Sequence, residues 1–349
     1  MVMRTQIPPK HPAYTYRYSV ALNRHHILFF CMVLSALFTW QGALAADAAV
    51  KAGTIVVDDS NGVWFDRSLE VRGIQIVVAG AVGGQKSVPN KWVEKTAQTL
   101  KLLINPSAPN IEKTLQKRLV AILEGAPGTS HQGYQTGQRI GYGGGNSYRP
   151  NPLRDNGVRH YKGYEAWLDR TVQKDMVWYK NVDSLHTGDD DIVELLEHLM
   201  HTIHSFGLPG AVNGSLDALT WDSERRRDYH KQELWLAMKE AINNSVFNVS
   251  DYGNGDPRGH MSSVMMTEYM YLLNFSMWEF GKEFWGDGGS LAPEWSNKAR
   301  TAKGVRKHNP LGYTLFMTYF NPVLSKPDIK TLRRMFKNHD RGESGYVAE

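Results

Sequence analysis

The side chains best suited to chemistry are concentrated in one short segment near the middle of the chain. Residues 194–204 read ELLEHLMHTIH. The titratable side chains of this segment are Glu194, Glu197, His198, His201 and His204. At about 100° per residue of α-helix, they fall within an arc of roughly 120°. An ordinary amphipathic helix presents Lys, Arg, Glu and Gln to water. This segment instead predicts a helix whose polar face carries metal ligands and proton-transfer groups, with Thr202 and Ser205 beside them.

Histidine nitrogens and carboxylate oxygens are ligands for zinc, and a catalytic zinc site has three protein ligands and a water. Residues three or four positions apart on a helix can converge on one ion. The pairs with that spacing are Glu194/His198, Glu197/His201, His198/His201 and His201/His204. Spacing alone does not choose among these pairs. A third ligand is expected from another part of the chain.

Glu268 is the best candidate for that outside ligand. It is the only charged residue in the apolar segment 261–278. Burying a carboxylate in such a segment is costly unless it is paired or bound to a metal. The alternative is an exposed position facing water. Tyr269 and Tyr271 lie next to it in sequence and could donate a hydrogen bond to a developing oxyanion. His230 and Glu233 form a second possible ligand pair, although the charges beside them favour a solvent-exposed helix start.

The order of these features resembles the zincin metallopeptidases. A predicted strand over residues 175–182 precedes the Glu/His helix, and a later helix bears Glu268. The zincin signature is His-Glu-x-x-His, followed in one large branch by a Glu ligand on a later helix. In that family the two histidines bind zinc, and the glutamate between them is the general base. The resemblance covers roughly residues 175–280 and implies a two-lobed fold and one zinc ion.

The chain departs from that signature because it reads Glu197-His198-Leu-Met-His201, with the first two positions exchanged. Equivalent positions would make Glu197, His201 and Glu268 the ligands and His198 the base. The other assignment takes His198, His201 and Glu268 as ligands and Glu197 or Glu194 as base. We favour the second, because two imidazoles suit zinc better than one. Tyr269 is then the expected oxyanion donor.

The remaining patterns predict an α+β fold. Strands are predicted near residues 54–57, 63–65, 74–78, 138–141 and 175–182. Helices are predicted from about Pro89 to Pro106 and over about 111–123, 165–174, 231–243, 261–280 and 328–336. Asp191 followed by Glu194 predicts a capping box at the start of the Glu/His helix. The expected architecture is zincin-like, with a small mixed sheet and helices in an N-terminal lobe (about 50–207) and a helical C-terminal lobe (about 208–349).

The first 45 residues have the features of a secretory signal peptide. Residues 27–40 are apolar, four basic residues precede them, and Ala43-Leu44-Ala45 forms a small-x-small cleavage site. The apolar stretch is shorter than the about 20 residues that a transmembrane helix needs. We therefore predict cleavage near Ala45, one mature domain over residues 46–349 and a secreted or periplasmic location. A retained signal anchor is the alternative.

Loss of this leader changes the charge and the thiol content of the chain. The formal net charge of +5 includes the four basic residues of the leader, so +1 remains. The single cysteine, Cys31, also lies in the leader, which leaves no disulfide to stabilise the mature chain. No Lys/Arg cluster interleaved with aromatic residues indicates nucleic-acid binding.

These observations together predict a secreted or periplasmic zinc-dependent hydrolase that uses metal-activated water. The expected substrate is a peptide or another small polymer. Two alternatives remain from the same residues: a secreted protein that binds metal without catalysis, and a non-haem iron or manganese oxidoreductase. The sequence does not indicate an oligomeric state.

Overall fold

A computed structural model describes residues 55–57, 65–81, 87–142, 164–179, 188–212, 232–252, 260–285 and 293–338. All of them belong to one unit that extends over Asp47–Glu349. The predicted signal peptide and His230 lie outside the described residues.

Five strands form one mixed sheet in the order β1-β2-β3-β4-β5. Their bounds are β1 Val56–Val57, β2 Phe65–Val71, β3 Ile74–Ala79, β4 Gln135–Tyr142 and β5 Thr171–Tyr179. The first three strands pair antiparallel, and β3, β4 and β5 pair parallel. The strand predicted near residues 63–65 continues instead to Val71, through charged residues that hid it from the hydrophobic pattern. Arg72 and Gly73 both have positive φ and connect β2 to β3 in a tight hairpin.

Ten α-helices accompany the sheet in the described residues. Their bounds are α1 Asn90–Leu103, α2 Lys113–Leu123, α3 Tyr164–Arg170, α4 Gly188–Phe206, α5 Glu233–Asn243, α6 His260–Met277, α7 Phe280–Phe284, α8 Ala302–His308, α9 Pro310–Leu315 and α10 Ile329–Phe336. A π-helical turn, Phe316–Phe320, follows α9. The helix predicted over 165–174 ends earlier, at Arg170, because the chain from Thr171 pairs with β4. The α+β class is confirmed, and no described helix is long and apolar enough to cross a membrane.

Helix α4 carries the Glu/His segment and packs along β5 and β4. Its predicted apolar side is buried: Ile192, Leu195, Leu196, Leu199, Met200, Ile203 and Phe206. The hydroxyl of Thr202 donates a hydrogen bond to Gln138 Oε1 of β4 at 2.6 Å. Buried hydrogen bonds of this kind fix the rotation of a helix on a sheet, since an unpaired polar group there is costly. The rotation of α4 on the sheet is therefore fixed.

The start of α4 differs from the predicted capping box. The helix already includes Gly188, so Asp191 is a buried residue of its first turn and not the N-cap. Glu194 Oε1 accepts a hydrogen bond from the backbone N–H of Trp178 on β5 at 3.0 Å. Packing of α4 against the sheet thus gave Glu194 a partner that local sequence could not indicate.

Candidate metal centre

Three side chains of α4 form a group that could hold a metal ion. One potential ligand atom from each of Glu197, His198 and His201 lies within 4.8 Å of the others. His201 is buried, whereas Glu197 and His198 are partly exposed. The group therefore has a buried side formed by His201 and a partly exposed side formed by Glu197 and His198.

Helix α6 brings Glu268 next to His201, although Glu268 is not one of the three residues whose ligand atoms all lie within 4.8 Å of one another. Glu268 Oε2 lies 3.4 Å from His201 Nε2, well within the separation of about 5 Å that a shared zinc ion requires. That distance is longer than an ordinary N–H···O hydrogen bond, in which the donor and acceptor atoms lie about 2.7–3.2 Å apart. Two ligands of a tetrahedral ion, each about 2.0–2.1 Å from the metal, lie roughly 3.3–3.4 Å apart. The spacing of these two atoms fits a common ion better than a direct hydrogen bond.

Glu194 is placed to orient His198. Its Oε1, already bound by the N–H of Trp178, lies 3.1 Å from His198 Nε2. If Nε2–H donates to this carboxylate, Nδ1 carries the lone pair that a metal needs. Histidine ligands of metals characteristically donate their other ring N–H to a carboxylate or carbonyl, which fixes the tautomer and ring orientation. Glu194 therefore suits a positioning role better than the general-base role that the sequence left open.

We expect Glu194→Ala to weaken metal binding by about 10–100-fold while leaving an intact site, because His198 loses its orienting carboxylate. Glu194→Gln is the matched control, since its side-chain oxygen still accepts from Trp178 N–H and from an imidazole N–H. Metal affinities by competition with a chelating dye would measure both. Equal, unchanged affinities in the two variants would contradict this role.

The group is strongly acidic before any metal binds. Burial raises the pKa of Glu197, the imidazoles of His198 and His201 lower it, and the carboxylates of Glu268 and Glu194 raise it again. No Lys or Arg contributes among the groups that shift this pKa in the described structure. A divalent cation would supply the missing positive charge, so the donor set fits a metal ion on both chemistry and charge.

Of the two tyrosines beside Glu268, Tyr271 and not Tyr269 faces the group. The Tyr269 hydroxyl donates to buried Asn309 at 2.7 Å, so the structure does not bring this predicted oxyanion donor to the metal ligands. The Tyr271 ring stands edge-on against the His201 ring with centroids 5.7 Å apart. Burial raises the pKa of Tyr271, and Glu197 and Glu268 raise it further. Tyr271 therefore stays neutral and retains its O–H as a donor.

A further pair, Glu294 and Tyr252, was not found from sequence. The Tyr252 hydroxyl donates to Glu294 Oε1 at 3.4 Å. Burial raises the pKa of Glu294, and Glu268 adds to the shift. Burial, Glu268 and Glu294 likewise raise the pKa of Tyr252. No local motif marks either residue, because only the fold brings their separate segments to α6.

His204, the last histidine of the segment, is fully buried and is not a member of the metal-binding group. Its ring packs against Phe320 of the π-helical turn with centroids 4.9 Å apart. Neither ring nitrogen has a hydrogen-bond partner among the described residues. Burial lowers its pKa well below the usual value, and His201 lowers it further. The structure thus assigns His204 to the core.

This burial predicts that His204 makes the metal-free protein sensitive to acid. In the unfolded chain a histidine binds a proton near pH 6.5, whereas folded His204 stays neutral to lower pH. Below about pH 6.5 the unfolded state therefore binds more protons, and the free energy of unfolding falls as pH falls, by at most about 1.4 kcal/mol per pH unit. His204→Phe should reduce this slope, measured by denaturant unfolding at pH 5 and 7.5. His308→Gln is the control, and an unchanged slope in His204→Phe would contradict the assignment.

Comparison of the chain with protein-family models, curated proteins and solved structures finds no match. The structure therefore supports a possible metal-binding group, and the likeness to zincins remains an expectation from the sequence motif.

Proposed function

We propose that this protein is a zinc-dependent hydrolase of zincin-like type that cleaves peptides with metal-activated water. The observation that carries the proposal is the meeting of two elements: His201 of α4 lies 3.4 Å from Glu268 of α6, beside the group of Glu197, His198 and His201. A carboxylate from a second helix supports a metal site more strongly than the face of α4 alone, because acids and histidines on a single helix face can also be solvated surface.

Some of these residues would bind the metal ion, and others would act on the water and the substrate. We propose His198, His201 and Glu268 as the ligands, which is a catalytic set of three that leaves a position for water. Bound there, zinc lowers the pKa of its water and polarises a substrate carbonyl. Glu197, partly exposed beside both imidazoles, takes the proton of the water on a carboxylate oxygen and returns it to the leaving amine. The neutral Tyr271 hydroxyl is available to donate a hydrogen bond on the His201 side.

A second candidate is a non-haem iron or manganese oxidoreductase. The observation that favours it is the number of oxygen donors, since Glu194, Glu197 and Glu268 all lie at the group. Mixed His and carboxylate ligands suit these metals. A protein that binds metal without catalysis is the remaining alternative.

Metal analysis and a cleavage assay together test the proposal. The purified protein should hold about one zinc ion per chain. It should cleave members of a general peptide library, and a chelator should abolish cleavage until zinc is restored. Tight zinc without cleavage would favour a metal-binding protein, and selective retention of iron or manganese would favour the oxidoreductase.

A further inference from the structure

Glu294 lies outside the proposed ligand set and is held in place by backbone pairing. Phe247 and Trp295 form an antiparallel bridge between two short segments. On either side of it, Asn248 N–H donates to Glu294 O at 2.7 Å and Ser296 N–H donates to Val246 O at 2.9 Å. The carboxylate of Glu294 therefore projects from a fixed backbone.

Aromatic packing places this bridge against α6. The centroid of the Tyr269 ring lies 6.0 Å from the ring centroids of both Phe247 and Trp295. The short 3-10 turn Ser250–Tyr252 also packs on α6, and it is Tyr252 that donates to Glu294. Glu268 acts on both members of the Glu294–Tyr252 pair and raises the pKa of each, and Glu197 also raises the pKa of Tyr252, so the pair lies near these two carboxylates of the site.

Among the described residues, the carboxylates of this region outnumber the two positive charges that a divalent metal ion would add. A divalent cation would offset the carboxylates of Glu197 and Glu268, and Glu194 is paired with His198. Among the described residues, the Glu294 carboxylate accepts hydrogen bonds from the neutral Tyr252 hydroxyl and from its own backbone N–H, and neither donor carries a positive charge. A partly buried carboxylate without a cation is costly, so a positively charged ligand group would bind there favourably.

A second observation also indicates a ligand in this place. The Tyr271 hydroxyl is buried, with Trp285 beside it, yet it makes no hydrogen bond of good geometry among the described residues. The Tyr271 ring packs on His201, and the carboxylates of Glu197, Glu268 and Glu294 all raise the pKa of its hydroxyl. Buried polar groups usually have a hydrogen-bond partner, so a buried hydroxyl without one indicates a place where a ligand could accept or donate a hydrogen bond.

We propose that Glu294, held by Tyr252, binds the ammonium group of the substrate beside the metal centre. The inference rests on the proposed hydrolase function and names its substrate class: peptides that carry a free amine next to the bond to be cleaved. The amine is either the N-terminal α-amino group or a lysine side chain, since both offer the same charge and three N–H donors.

Four peptides distinguish these sources. Tetra-alanine is compared with N-acetyl-tetra-alanine, and N-acetyl-Ala-Lys-Ala-Ala with N-acetyl-Ala-Met-Ala-Ala. The zinc-loaded full chain should cleave at least one amine-bearing peptide about tenfold better, in kcat/KM, than its neutral counterpart. Glu294→Gln should remove this preference through a higher KM, with zinc content and cleavage of the neutral peptides unchanged. Glu70→Gln, an exposed carboxylate on β2, is the matched control.

The other outcomes overturn the inference. If Glu294→Gln keeps the preference, the amine is bound elsewhere. If wild type holds two metal ions and Glu294→Gln holds one, the carboxylate is a ligand of a second metal. If wild type cleaves no peptide, the proposed function fails, and calorimetry with alanine amide and N-acetylalanine amide still tests the site. Binding of the free amine that Glu294→Gln abolishes would support it, and absence of binding would overturn it.

Discussion

His201→Gln should abolish zinc binding, because His201 is the residue through which both helices meet at the site. It is only 1% exposed, shares the compact group on α4 and lies 3.4 Å from Glu268 on α6. Losing a direct ligand should weaken zinc binding more than losing the Glu194 carboxylate, for which about 10–100-fold is expected. We therefore expect the zinc affinity of His201→Gln to fall by more than about 100-fold. Zinc content should drop from about one ion per chain to nearly none.

Thermal unfolding separates this effect from a folding defect. A ligand that binds only the native state stabilises it by about 4.1 kcal/mol at a thousand times its Kd. Wild type should therefore melt at higher temperature when zinc is added, and His201→Gln should show no such shift while remaining cooperatively folded without metal. His308→Gln, which removes a histidine on α8, should behave as wild type. A His201→Gln protein that still binds zinc and is stabilised by it would contradict the proposed metal centre.

Much of this site was predictable because its main signals are local. Helical periodicity placed the apolar side of α4 against the core, and the isolation of one charge in an apolar segment led to Glu268. The orientation of the tyrosines was also readable in principle. Tyr271 is three residues after Glu268 and shares its face of the helix, whereas Tyr269 is turned about 100° away.

The remaining features depend on contacts between distant segments. Glu194 acquires the N–H of Trp178 only because α4 packs against β5, and this partner lies outside the local capping pattern that the sequence suggested. Strand β2 carries charged residues that obscure its alternation, and pairing with β3 overrides the pattern. Glu294 reaches the site through the bridge between Phe247 and Trp295, which no sequence window contains.

Glu197→Gln should leave zinc bound and reduce the rate of cleavage by about 10²–10⁴-fold, the usual contribution of a general base. The amide keeps the size of the side chain but cannot accept the proton of the water. The residual activity should come from the metal and from positioning of the substrate. Measurement of kcat on the zinc-loaded variant, beside its zinc content, tests both halves of the expectation, with Glu70→Gln as the carboxylate control.

The same measurement on His198→Gln decides between the two ligand assignments that the exchanged motif allows. If His198, His201 and Glu268 hold the metal, His198→Gln loses zinc and Glu197→Gln keeps it. If Glu197, His201 and Glu268 hold the metal, the pattern reverses: Glu197→Gln loses zinc, and His198→Gln keeps zinc but loses activity as the absent base. The 3.1 Å contact between Glu194 Oε1 and His198 Nε2 supports the first assignment, because metal-binding histidines are usually oriented by such a carboxylate. Glu197 also lies in the compact group, as the second assignment requires, so the two variants decide between them.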